Sequence, residues 1–164
     1  MKKHHLGQLN VARMRAPLES PLMAAFVASL DEINRLADSA PGFIWRLQSD
    51  AGDATALRPI GDDMLVNMSV WSGPEALRDF VYRSAHAAVM RRRRDWFNRL
   101  AEAYMVLWWV PCGHVPTISE ATERLSELRR LGPTRRAFTF RELFLPDGAR
   151  PVPAQADQDP CSAI

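Results

Sequence analysis

The sequence predicts an α+β domain, an antiparallel sheet carrying helices. Three observations lead there. Short runs in which apolar and polar residues alternate recur along the chain, as half-buried strands require. Longer runs between them place an apolar residue every three or four positions, the pattern of an amphipathic helix. Proline, glycine and serine gather at the joins, where regular structure must stop.

Residues 5–13 alternate, with Leu9 and Val11 on one side and Gln8 and Asn10 on the other, and read as a first strand. Ser20 and Pro21 then suit a helix cap and first position, and Leu22, Phe26, Leu30, Ile33 and Ala37 form the stripe behind them. Ala40-Pro-Gly42 stops that helix. Residues 43–48 and 64–71 are the next two strands, separated by a loop rich in aspartate and glycine. Ser72-Gly-Pro-Glu75 has the spacing of a capping box and opens a short helix through Leu77, Phe80 and Val81. Ser84 is placed to cap a longer helix running to about Glu102. Residues 105–110 are a fourth strand. Thr117-Ile-Ser-Glu120 is a second capping box, opening a helix with Ile118, Ala121, Leu125 and Leu128 on one stripe, closed by Gly132-Pro133. Residues 137–142 read as a fifth strand. The order is ferredoxin-like βαββαβ with an appended helix and strand. Such a domain spans residues 1–145, and the proline-rich, aspartate-containing stretch 146–164 reads as a disordered tail. One face of the sheet takes the helices. The other is also apolar, and packing two sheets together in a homodimer would cover it.

Composition narrows the function classes. The chain is 47% hydrophobic and 24% charged, with a net charge of +2, so it lacks the field of a nucleic-acid binder. Cys112 and Cys161 make neither a disulfide framework nor a metal quartet. The absence of HxxxH and CxxC spacing argues against structural zinc. No run has the length of a membrane span and the N-terminus does not read as a signal peptide, so the expected location is cytoplasmic.

The residues with chemistry to offer centre on Arg83-Ser-Ala-His86 and the arginines that follow. On a continuous helix at about 100° per residue, Met90, Arg93, Phe97, Leu100 and Tyr104 fall within about 40° of His86, whereas Arg91, Arg92, Asp95 and Arg99 point away. Arg93 would then lie on the apolar face beside His86 and need a partner. That partner is either a carboxylate or backbone of the protein itself, or an anionic ligand held by the guanidinium fork. His86 in a first helical turn favours the neutral imidazole. It is either a satisfied core histidine or a base. His114, on a loop, is either a staple or a ligand contact. Asn10 and Asn67 interrupt apolar strands and must find hydrogen bonds, from backbone or from a ligand. Five tryptophans, Trp45, Trp71, Trp96, Trp108 and Trp109, supply flat walls suited to a planar ligand, or simply a bulky core.

The span from His5 to Phe144 resembles an uncharacterised bacterial domain family of the dimeric α/β-barrel superfamily. The residues that carry the likeness are Gln8-Leu-Asn-Val-Ala-Arg13, Asn67-Met-Ser-Val-Trp71, Arg83-Ser-Ala-His86, Arg93-Arg-Asp-Trp-Phe97, Leu107-Trp-Trp-Val-Pro111 with Gly113-His114, and Gly132-Pro-Thr134 with Ala137-Phe-Thr-Phe140. The superfamily includes antibiotic-biosynthesis monooxygenases, which oxidise aromatic polyketides without metal or flavin, and haem-degrading monooxygenases. In the quinone-forming members an asparagine stands four residues before a tryptophan on one strand, and Asn67 and Trp71 reproduce that spacing. In the haem degraders a first-strand asparagine, a helix tryptophan and an iron-ligating helix histidine act together. Asn10 and His86 fall on the corresponding elements, but Phe80 stands near where the tryptophan would be.

The resemblance thus implies a small monooxygenase-like homodimer that needs no cofactor, with a planar or aromatic ligand between sheet and helices. His86, Asn67 and Asn10 would be catalytic, and Arg93, Trp71, Trp96, Trp108, His114 and Phe80 would contact the ligand. Two alternatives stand beside it: a non-catalytic binding or interaction protein of the same fold, and a haem-binding protein in which His86 ligates iron. Nucleic-acid binding through Arg91, Arg92, Arg94 and Arg99 has no motif behind it.

Overall fold

The computed structural model describes residues 3–147 and 149. The tail expected from 146 onward, with Cys161, lies almost wholly outside the described residues. A central strand β1 (His4–Met14) pairs antiparallel with β3 (Met64–Trp71) on one side and with β5 (Met105–Pro111) and the two-residue β4 (Phe97–Asn98) on the other. β2 (Phe43–Arg46) pairs antiparallel with β3 at the outer edge. The ferredoxin-like order expected from the sequence is what forms.

Register decides which side chains share a face. Leu6, Gln8, Asn10 and Ala12 of β1 align with Trp71, Ser69, Asn67 and Leu65 of β3, with Asn10 directly opposite Asn67. This first face lies under α1 (Ala24–Asp38), α2 (Pro74–Arg83), α3 (His86–Arg91) and α4 (Arg93–Trp96). The second face presents Leu9, Val11, Val66, Met68, Val106, Trp108 and Val110. They pack on Ala121, Leu125 and Leu128 of α5 (Ile118–Leu131), with Leu57 of the β2–β3 loop against the same cluster. The appended helix therefore covers, within one chain, the face for which a homodimer had been invoked. Gly7 is part of the fit. A Cβ there would lie 2.7 Å from the Trp108 ring and 2.9 Å from Val110 Cγ2, so the flat strand lets the indole lie down on it.

Three local expectations are corrected. The Ser72-Gly-Pro-Glu75 box does not form; Gly73 is the cap of α2, with Pro74 at the first position and no side-chain capping bond. Residues 137–142 make no strand. Only Phe138 bridges to Leu107, and Thr134 to Ala137, because Phe138 and Phe144 turn inward onto Leu6 and Leu107. The helix expected from Ser84 to Glu102 is broken at Arg92 and ends at Trp96, with Phe97 already extended. The reason is tertiary. Trp96 and Phe97, adjacent in sequence, both pack on Phe26, at 5.6 and 5.0 Å between ring centroids. Arg15 Nη1 donates to the freed carbonyls of Arg94 and Asp95, and Phe97–Asn98 pairs with the end of β1. By contrast the Thr117 cap forms as expected, its hydroxyl accepting from Glu120 N at 3.1 Å.

Candidate functional site

The helix-covered face is apolar at both ends and polar in the middle. At one end Leu6, Trp71, Leu107 and Phe138 pack beneath Leu77. At the other Met14, Leu65 and Trp96 pack around Met23. Between them the alternation of β1 and β3 brings Gln8, Ser69, Asn10 and Asn67 to the same side. Gln8 and Ser69 are buried, so their polar atoms need partners. Trp71 Nε1 donates to Ser69 Oγ at 2.8 Å, and Ser69 Oγ donates to Gln8 Oε1 at 2.9 Å. That chain holds the Trp71 indole in one orientation. Phe80 of α2 stacks on it at 5.1 Å, and His86 packs in turn on Phe80 at 5.0 Å between ring centroids. Ser84 positions the histidine, donating to the Phe80 carbonyl and accepting from His86 N at 3.1 Å.

His86 is the electrostatic oddity of this face. Burial disfavours the imidazolium and lowers its pKa below the ordinary 6.5, an effect that the Val81 backbone partly opposes. Its Nδ1 is buried with no hydrogen-bond partner. Burial thus favours the neutral ring.

Asn67 is exposed and Asn10 half-buried, so neither amide points into a closed core. The other expected site residues scatter. Trp71 and Trp108 are each 1% exposed, and Trp96 is 3% exposed. Trp108 is on the second face, donating to Glu120 Oε1 at 3.1 Å, and His114 bonds the other oxygen of the same carboxylate at 2.8 Å. Those two residues form a staple on α5, across the sheet from Asn67. The break at Arg92 puts Arg93 at the start of α4, whereas His86 opens α3. The Arg93 guanidinium lies over the Tyr104 ring at 4.2 Å, a cation–π contact. Of the expected ligand contacts, Phe80 packs on His86. Gln8 and Ser69 escaped the sequence reading. The signal was there, since Gln8 shares the face of Asn10, and Ser69 stands between Asn67 and Trp71 on the same side of β3.

A cavity of about 590 Å³ opens between the end of α1 and the start of α2, reaching Leu36, Ala40, Glu75, Phe80, Arg83 and Ser84. It touches the neighbours of His86 without including His86, Asn10 or Asn67. Nδ1 of His86 is buried, and Phe80 packs against its ring at 5.0 Å between centroids. Among the described residues no group of three or more His, Cys, Asp or Glu side chains could hold a metal ion.

A family model matches residues 5–155, nearly the whole chain. The protein belongs to the domain of unknown function family DUF3291. No functionally curated protein matches this DUF3291 domain. Solved structures similar to it include a protein of unknown function from Nitrosomonas europaea, at 12% identity, covering 70% of this chain and 95% of that one, with a TM-score of 0.44. They also include SnoaB, a cofactor-independent oxygenase from Streptomyces nogalater, at 14% identity, covering 70% of this chain and 97% of that one, with a TM-score of 0.46. Similarity at that level carries no argument about chemistry. No helix among the described residues is long and apolar enough to cross a membrane.

Proposed function

We propose that this DUF3291 domain binds a planar aromatic ligand over the polar centre of its helix-covered face and oxidises it without a cofactor. One observation carries the reading: Asn67 stands exposed opposite Asn10, between two sealed apolar clusters, on the face where His86 keeps a buried, unpartnered nitrogen. The asparagine amides would hold a carbonyl or hydroxyl oxygen of the ligand, and Phe80 would offer a flat wall. Trp71 acts as a positioning residue, fixed by Ser69 and Gln8 and stacked on Phe80. Neutral His86 suits the role of base. An acidic ring CH₂ gives up a proton, and the carbanion reduces molecular oxygen. One oxygen atom ends in the new ring carbonyl and the other in water, with both hydrogens accounted for. The Asn67 and Trp71 spacing shared with quinone-forming monooxygenases supports this class.

The second reading is a non-catalytic binder, favoured by the way Trp71, Trp96 and Trp108 fill the interior themselves. Oxygen uptake with a dihydroxyanthrone separates the two. Uptake by the native protein, lost in Asn67→Ala and His86→Ala while both retain native circular dichroism, is the expected result. Binding without uptake leaves the non-catalytic reading, and neither binding nor uptake removes both. Self-association is a separate proposal that no longer rests on an uncovered sheet. Light scattering at the mass of one chain would end it.

A further inference from the structure

A second recess lies at the outer edge of β5, away from Asn67 and His86. It has a volume of about 390 Å³, and its walls include His4, Trp109, Arg124, Arg135, Arg136 and Asp147. Three guanidiniums around one hollow need explaining. Arg124 projects from the flank of α5, and its Nε is buried without a hydrogen-bond partner. Arg135 and Arg136 sit at the tip of a tight turn closed by Thr134 and Ala137, whose backbones bond in both directions at 2.8 and 3.2 Å. Glu127 anchors that turn, accepting from Thr134 Oγ1 at 2.9 Å and pairing with Arg136 Nε at 3.3 Å. Among the described residues neither Arg124 nor Arg135 has a carboxylate partner. Asp147 is the one acid in the wall. The indole of Trp109 is held by its bond to the Phe144 carbonyl at 2.6 Å.

We infer that this recess is an oxyanion site. It takes a carboxylate or phosphate group on the forks of Arg124 and Arg135, with a small apolar body against Trp109. The reasoning is electrostatic. The Nε–H of Arg124 is removed from water and needs an acceptor, Arg135 brings a charge without a carboxylate partner to the same hollow, and planar two-oxygen anions match guanidinium geometry. A hollow of this size sits at the small end of ligand pockets, so the ligand is small. The inference does not depend on the oxygenase reading, because it shares no residue with that site.

The test is to titrate the full chain with sodium benzoate, inorganic phosphate and neutral benzamide, following heat and tryptophan fluorescence. Saturable binding of benzoate or phosphate, with none of benzamide, is expected. Saturation by phosphate alone assigns phosphoryl ligands, and by benzoate alone carboxylic acids. Loss of a charge-assisted bond should raise Kd by about 10-fold or more in Arg124→Ala and in Arg135→Ala. Arg124→Lys, which keeps the charge and loses the fork, should fall between. Arg91→Ala/Arg92→Ala, at the exposed end of α3 elsewhere in the domain, should bind as the native protein does. Arg135 is exposed on its turn, so its variant keeps the test decisive should Arg124→Ala fail to fold. Equal binding of benzamide, an unchanged Kd in Arg135→Ala, or no saturation by either anion would overturn the inference.

Discussion

The two faces of the sheet are built from the same strands and solve different problems. The face under α5 is apolar from edge to edge, and Gly7 gives up its side chain so that Trp108 can lie flat. The face under α2, α3 and α4 interrupts its apolar surface with Gln8, Ser69, Asn10 and Asn67, and places a neutral histidine nearby. Polar groups in such a position cost stability unless they are paired. Gln8, Ser69 and Trp71 are paired with one another, whereas Asn67 is left in the open and His86 keeps an empty nitrogen. One face holds the domain together, and the other tolerates a cost at the place where a ligand could repay it.

The contrast can be broken by mutation. The closed face should answer to lost volume. Trp108→Ala should destabilise by about 3–5 kcal/mol in urea unfolding, the largest effect expected, and a loss below about 1 kcal/mol would mean that α5 seals nothing. The polar centre should answer to lost hydrogen bonds. Ser69→Ala strands Trp71 Nε1 and Gln8 Oε1 together and should cost about 1–3 kcal/mol, with a shift in near-ultraviolet dichroism as the indole loses its anchor. A silent variant would show that the indole needs no such anchor.

The pH dependence is a smaller effect with a definite sign. The folded pKa of His86 is lowered, so the unfolded chain binds the proton more readily. This contribution to stability is complete above pH 6.5 and is lost as pH falls toward the folded pKa. His86→Phe should flatten that part of the stability curve, and an unchanged slope would show that His86 is not its source. Least of all should His114→Ala matter. Its contact with Glu120 is partly exposed, with 46% of the histidine side chain accessible, and its removal should cost under about 1 kcal/mol by thermal melting.

The strands were legible because β1 and the middle of β3 alternate with period two, and β5 is a short, wholly apolar run ended by Pro111 and Gly113. α5 was legible for the same reason, with a stripe, a cap at Thr117 and a stop at Gly132 all agreeing. The candidate site was legible only in part. Asn10 and Asn67 could be placed on faces, and register then set them side by side. The helix through the four arginines could not be read. Its local periodicity supports one continuous helix, but Phe26 and the end of β1, some seventy or more residues earlier in the chain, pull Trp96 and Phe97 out of it.

By itself, then, the sequence determined the order of elements, the sheet and the split of each strand into two faces, since these follow from side-chain periodicity along a few residues. Tertiary structure alone decided that α5 closes the second face, that Arg93 rests on Tyr104, and that Arg124, Arg135 and Arg136 meet in one recess. Those outcomes depend on contacts between distant segments, whose packing and hydrogen bonds outweigh the weak local preferences that a sequence displays.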